Sequence, residues 1–424
     1  MAKKTKPETA SVVVPEAEQP YQIPDNWRWV YASKVFAIEY GKGLSIKELL
    51  EDGFPVFGAN GHIGYFREYM FETPQALMSC RGAYSGVMNI STPKAYVTNN
   101  SLIIQGIYFS MSPQFIRFLF DALDKRKLIS GSAQPQVTVQ AFKRYPIPLP
   151  PLAEQQRIVD RIENLFTALD EVRERVQAAL DGLELYRGAV LREAFNGTLT
   201  AEWRQENGLD ISSWRTQTLK ECCKISSGGT PSRKKPEYYK GNIPWIKTGE
   251  IDWNEIANAD EYITESAVAD SSAKLNPAGA VLVAMYGMGL TRGRAAILKV
   301  PAATNQAVCV LQPNSDVLNW YLFYYFMRNY WQIRAQAVGG NQLNLSGKII
   351  SQLQISIPTL DEQRKIVDTL HSLLKRAREV KETAETVLGQ IEQMKKIILA
   401  RAFRGELGTN DPSEESPDFA LTAR

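Results

Sequence analysis

The sequence predicts an α+β fold made by internal two-fold duplication: two mixed α/β globular domains, and two long antiparallel helices that pair as an intramolecular coiled coil. Three observations carry this. First, the chain repeats itself at a fixed offset of 208: residues 131–199 align without a gap on 339–407, with 21 identities in 69 positions. "PLAEQQRIVDRIENLF" from Pro151 returns as "TLDEQRKIVDTLHSLL" from Thr359, and "AFNGTL" at 194–199 returns as "AFRGEL" at 402–407. Second, each copy carries a sustained heptad of apolar residues. Third, the stretches between the copies break into short apolar runs bounded by Gly, Pro and Asn. A repeat of 20–50 residues would mean a solenoid; this one is domain-sized.

The elements follow in order. Residues 1–20 are charged and Pro-rich with no apolar core, and predict a disordered N-terminal arm, not a signal peptide. Residues 21–146 and 208–354 are the two globular domains. "FPVFGANGHIGYF" (54–66), "AYVTNNSLII" (95–104), "GAVLVAMYGM" (279–288) and "AAILKV" (295–300) predict strands, being short apolar runs between turn residues. "SPQFIRFLFDAL" and "NWYLFYYFMRNY" predict buried helices. "NWRWVYASKVFAIEYGKG" from Asn26 resembles "SWRTQTLKECCKISSGGT" from Ser213, so the domains are themselves related.

Residues 147–207 and 355–407 are the shared helical regions. Pro148, Pro150 and Pro151 end what precedes them, because proline fixes φ and lacks an N–H. Helix is expected from about Leu152. The seam runs through Ile162, Leu165, Leu169, Val172 and Val176, and in the second copy through Leu370, Leu373, Val380, Val387 and Ile391. This three–four alternation, with Arg, Glu, Lys and Gln between, is that of a coiled coil. Neither helix can bury its stripe alone, and the simplest partner is its duplicate. Residues 408–424, "GTNDPSEESPDF" onward, predict a disordered acidic tail.

Composition narrows function. No apolar run is long enough to span a membrane. Four cysteines form no C-x-x-C pair and the chain has only two histidines, so no metal site is expected, and reduced thiols fit a cytoplasmic protein. A formal net charge of +3 does not announce nucleic acid, although basic residues can gather on one face.

The loops supply the candidates for such a face. In "SSGGTPSRKKPEYYKGNIPWIKTGEI" (226–251), Ser227, Thr230, Arg233, Lys234, Lys235, Tyr238, Tyr239 and Lys247 sit in a Gly/Ser/Pro-rich setting that can approach a phosphate backbone. Tyr286 and Arg292 follow. The first domain offers Lys42, Asn60, His62, Tyr65, Arg81, Asn99 and Asn100. The shared loops "SGSAQPQVT" (130–138) and "VGGNQLNLS" (338–346) add Gln134, Gln136, Asn341, Gln342 and Asn344. Arg, Asn and Gln can pair bidentately with base edges.

The duplicated "PLPPLAEQQRIVDRIE…AFNGTLTAEWR" and "SIPTLDEQRKIVDTLH…AFRGEL" resemble the helical regions of type I restriction-modification specificity subunits, and "SGGTPSRKKPEYYKGNIPWIKTGEI" resembles a stretch of that family's target-recognition domains. The resemblance implies two target-recognition domains, each reading one half of a gapped asymmetric site in double-stranded DNA. It implies helices that space the domains and dock two modification (methyltransferase) subunits. No cofactor is expected on this chain: S-adenosylmethionine belongs to the modification subunits, and ATP and Mg to the restriction/translocase subunits. One departure stands out. The first copy continues into "TAEWR" (200–204) and the second into the acidic tail, which leaves closure of a ring between tail and first domain in question.

Two other readings compete. A methyltransferase would carry an (N/D/S)-P-P-aromatic loop, but the double proline Pro150–Pro151 lies between leucines. A Gly-rich cofactor loop with a following acidic residue is also missing, and no carboxylate–lysine constellation marks a nuclease, so no catalytic residue is assigned. A coiled-coil scaffold that binds only protein is the third reading; it would show no salt-dependent, sequence-specific retention of DNA.

Overall fold

The computed structural model describes residues 12–107, 110–131, 133–287, 289–339 and 343–417. The chain forms two compact units, residues 1–176 with 385–424 and residues 177–384. Four helices organise them: α1 (Pro113–Ala122), α2 (Leu152–Asn196), α3 (Asn319–Arg328) and α4 (Leu360–Ala402). The boundary between units falls inside α2 and α4.

In the first unit, a four-stranded antiparallel sheet takes the order Phe36–Tyr40, Ser101–Gly106, Ala76–Ser79, Met88–Ile90. A smaller sheet joins the hairpin Phe54–Gly58/Gly61–Phe66 to Tyr96–Val97. The helix α1 starts on a Ser112 hydroxyl that accepts from Phe115 N, as an N-cap does, with Pro113 in the first turn. Its Phe115, Ile116, Phe118, Leu119 and Phe120 are buried in one core with the sheet, the start of α2 (Ile158, Ile162) and the end of α4 (Leu399, Ala402, Phe403).

The second unit repeats the plan. Its main sheet runs Cys223–Ser227, Val308–Pro313, Val281–Ala284, Ala295–Leu298, Asn254–Ile256, and a smaller one joins Tyr262–Ile263, Ile243–Ile246 and Ala303–Thr304. The helix α3 buries Tyr321, Leu322 and Phe326 against Val190, Leu191 and Ala194 of α2 and Ile366, Val367 and Leu370 of α4.

The shared E-Q pair at the start of each long helix is a joint. Trp27 Nε1 donates to Glu154 Oε2 at 2.8 Å, and Trp214 Nε1 to Glu362 Oε2 at 2.9 Å. Gln155 Nε2 donates to Pro150 O at 3.1 Å, and Gln363 Nε2 to Pro358 O at 3.0 Å. Both carboxyl groups are fully buried. A buried carboxylate requires donors, and the two units recruit them differently. Glu362 also accepts from Thr200 and from Arg204, itself buried. Glu154 accepts from the Thr409 hydroxyl at 3.1 Å instead, and burial raises its pKa.

That last contact corrects the expectation of a disordered tail. Over residues 408–417 the tail packs on the first unit. Arg157 forks onto Glu414 with two contacts of 2.8 Å and donates to Thr409 O, and Asn26 Nδ2 donates to Asp411 O. Acidic composition suggested a solvated chain; here the acid meets a bidentate guanidinium, the stronger kind of ion pair. Residues 418–424 lie outside the described residues. The N-terminal arm is corrected likewise over residues 12–20: Val14 N donates to Trp29 O, Tyr31 N donates to Val12 O, and Val14 is buried. Its β-branched valines extend the strand Arg28–Tyr31.

The long helices are antiparallel. Lys395 Nζ meets Asp170 at 2.7 Å and Arg173 meets Glu392 at 3.8 Å, so the index rises on α2 as it falls on α4. Ile162, Leu370 and Ile391 are buried, and Leu165, Leu169, Val176, Leu373 and Val387 half-buried. Val172 and Val380, expected in the seam, are 42% and 51% exposed. Near the helix ends a globular core covers the stripe from a third side, as it covers Ile162 and Leu370. At Val172 and Val380 neither core reaches it, and two helices alone enclose an apolar position only in part.

Candidate nucleic-acid interface

Backbone bonds gather the first unit's candidates at one edge of its sheets. Lys42 N donates to Val97 O at 2.9 Å and Asn99 N to Lys42 O at 3.1 Å. Cys80 N donates to Asn100 O, and Val137 N to Cys80 O, both at 3.0 Å, which sets Arg81 between Asn100 and Gln136. The Ser101 hydroxyl reaches Gly58 O at 3.0 Å and the Ser79 hydroxyl reaches Ala59 O, tying the hairpin turn with Asn60 to the same edge. His62 and Tyr65 stand on that hairpin, rings edge-on at 4.9 Å. Lys42, Asn60, His62, Arg81, Asn100, Gln134 and Gln136 are exposed; Tyr65 and Asn99 are half-buried.

The second unit builds the same edge from equivalent bonds. Gly229 N donates to Thr304 O at 2.8 Å, Met285 N to Ala307 O at 2.9 Å, and Leu345 N to Met285 O at 3.0 Å. Asn305 N donates to Ile246 O at 3.0 Å, just as Thr98 N donates to Phe57 O at 2.8 Å. The result brings Ser227, Thr230, Lys247, Tyr286 and Asn344 together, and Arg292 joins them through Leu343 O. Two residues that sequence reasoning missed stand here, Asn305 and Gln306. The Thr230 hydroxyl donates to Gln306 Oε1. "AYVTNNS" in the first domain against "AATNQAV" in the second is the signal that points to them. Asn341 and Gln342 lie outside the described residues.

Matched backbone positions carry unlike side chains. Lys42 corresponds to Gly229, Arg81 to Tyr286, Asn99 to Gln306 and Gln136 to Asn344. At the second edge Arg292 Nε and Asn344 Oδ1 are buried without a hydrogen-bond partner. Such atoms are costly unless something else pairs with them.

The basic loop is a different matter. Arg233 donates to Glu261 at 2.7 Å and stacks over Tyr239 and Trp245, with ring centroids 4.1 and 5.1 Å away. Lys247 Nζ takes the other oxygen of Glu261 at 3.0 Å, and these two cations hold the Glu261 carboxyl below the usual carboxylate range. Lys235 donates to Tyr238 OH at 2.7 Å, which in turn donates to Asp270 at 2.6 Å. Tyr239 OH donates to Pro231 O. Most of this loop's charge is therefore spent on folding it. Lys234 is exposed and makes no ion pair among the described residues.

Residues 24–180 and 211–388 match the model of the type I restriction modification DNA specificity domain. The chain belongs to this family. Among curated members, it is 29% identical over 282 residues to the type I restriction enzyme EcoR124I/EcoR124II specificity subunit of Escherichia coli, a match covering 64% of this chain and 63% of that one. It is 23% identical to the EcoDI specificity subunit of Escherichia coli, covering 94% and 92%. Among solved structures, a chain from work on complex assembly and conformational transition of the type I R-M system superposes with a TM-score of 0.71 at 20% identity, covering 91% of this chain and 100% of that one. The HsdS subunit of Thermoanaerobacter tengcongensis gives 0.56 at 20% identity, covering 92% and 100%. The specificity-domain family thus accounts for both halves of the duplication.

Proposed function

We propose that the chain is the non-catalytic DNA-specificity subunit of a type I restriction-modification complex. Each domain reads one half of a gapped asymmetric site in double-stranded DNA through its loop edge. The paired helices set the gap and dock two modification subunits, which bring S-adenosylmethionine; restriction subunits bring ATP and Mg. The observation that carries this reading is the pair of edges, held by the same backbone bonds yet lined by different side chains. One scaffold with two unlike edges suits a site whose halves differ. Phosphate contacts supply affinity, and side chains such as Arg81, Asn100 and Gln306 supply sequence.

The test is selection of bound sequences from a random DNA pool, with the modification subunits present. Arg81→Ala should relax one half-site, by about 1–3 kcal/mol of discrimination per bidentate contact, and leave the other half unchanged. Gln306→Ala should do the reverse. If both variants altered the same half, the two-edge reading would be wrong.

A further inference from the structure

Gln155 and Gln363 occupy equivalent places, but only one has a full set of partners. In the second unit Gln363 grips the loop before α3. Its Nε2 donates to Asp316 O at 2.8 Å, and its Oε1 accepts from Leu318 N at 2.9 Å. Val317 between them is buried, and the Asp316 carboxylate meets Arg215 Nη2 at 3.1 Å. One amide and one guanidinium hold an acidic–apolar–X segment by its main chain and its acid.

In the first unit the seat is open. Gln155 is 4% exposed and its Oε1 is buried with no hydrogen-bond partner. It lines a cavity of about 730 Å³ with Gln75, Gln105, Ser112 and Ile116. No lining residue is charged, so the polar atoms offered are neutral amides and hydroxyls, which suit a peptide main chain better than an ion. The counterpart of Arg215 is Arg28. Each arginine lies opposite the residue just before the proline that the glutamine holds: Arg28 opposite Leu149, Arg215 opposite Ile357. With no acid to meet, Arg28 donates to the carbonyls of Asp25 and Trp27.

Sequence explains the vacancy. Five residues separate the strand Val308–Pro313 from α3, while six separate Ser101–Gly106 from α1. Those six, "IYFSMS", contain no acid, so the chain's own loop cannot offer Arg28 what Asp316 offers Arg215.

We propose that this cavity binds a short segment of a partner protein, an acidic residue followed by an apolar one, with its main-chain N–H on Gln155 and its carboxylate on Arg28. The second unit shows that this geometry closes on such a segment when one is present. Binding here is independent of what the loop edges do with nucleic acid.

The probe is the acetylated, amidated peptide Asn-Ser-Asp-Val-Leu-Asn, a copy of 314–319, labelled with fluorescein and titrated into the full chain by anisotropy. Saturable binding is expected. Arg28→Ala in the protein, or Asp→Ala in the peptide, should each weaken it by at least about tenfold, as for a charge-assisted hydrogen bond. Gln155→Leu should abolish it, and Gln363→Leu should leave it intact. No saturation by about 5 mM, where association is too weak to count as a site, overturns the proposal. So does equal binding of the Asp→Ala peptide, a measurement that needs no variant protein to fold.

Discussion

Replacing Glu362 by Gln should destabilise the second unit by about 3–5 kcal/mol, whereas the same replacement at Glu154 should cost about 1 kcal/mol or less. The difference lies in the partners. Gln at 154 can still accept from Trp27 Nε1 through its carbonyl and can donate its amide to the Thr409 hydroxyl, so both present bonds survive. Glu362 has no such freedom. Its Oε2 accepts from Trp214 and its Oε1 from Thr200 and Arg204, so an amide NH2 on either side faces a donor. Arg204 then keeps its charge with a side chain only 8% exposed. Stranding one member of a buried pair carries the larger cost. For a unit of this size, about 2–4 °C per kcal/mol translates into a fall of roughly 6–20 °C in melting temperature. Scanning calorimetry reads it. Arg204→Met combined with Glu362→Gln should recover most of the loss, since no buried charge remains. Equal shifts for the two Gln variants, or strict additivity in the Arg204/Glu362 cycle, would refute the reasoning.

Three further outcomes follow from the same contacts. Burial raises the Glu154 pKa, so the folded chain holds that proton to higher pH than the unfolded chain; stability from this group is fullest below its ordinary value of 4.5 and declines as pH rises through the raised one. Glu154→Gln should flatten that decline in urea titrations run across this range, and an unchanged slope would assign it to other carboxylates. Arg233→Ala should lower stability by about 1 kcal/mol, from a half-exposed ion pair and its aromatic stack, with little effect on the salt dependence of DNA binding, while Lys234→Ala should reduce that slope by about 0.9; the opposite pattern would make Arg233 the phosphate contact. Four residues inserted after Ala179 lengthen α2 by about 6 Å, close to two base-pair steps of about 3.4 Å, and methylation assays on sites differing only in gap should show a preference for one or two extra base pairs.

What was legible in the sequence was what repeats or alternates. The 208-residue offset marked the duplication, heptads marked the long helices, and short β-branched runs marked the strands, because each is a periodic demand of burial. The seam was overread at Val172 and Val380, since a heptad pattern shows which face is apolar and not how much covers it. The terminal segments were misread for a related reason. Acidic or Pro-rich composition describes a segment alone, but Val14 and Glu414 acquire partners from strands and helices far along the chain. Among the candidate interface residues, Asn99 and Asn100 were found while Asn305 and Gln306 were not, because the register between the two domains shifts within their interiors and only backbone bonds restore it.

The duplicated motif that exposes the family does not itself form the edge that would meet DNA. Glu154 and Glu362 fasten a tryptophan from the start of each domain to the first turn of a long helix, and Gln155 and Gln363 fasten the strand that leads into it. A joint of this kind fixes where a domain's sheet stands on its helix, so its residue types are constrained by buried hydrogen bonds and change little between copies. The loop edges carry no such burden, since their positions are held by main-chain bonds that any side chain permits, and they are free to differ. The first unit's Gln155 departs from this division of labour. It keeps the joint residue but lacks the segment that its twin Gln363 holds, and one added residue in the preceding loop separates a filled seat from an open one.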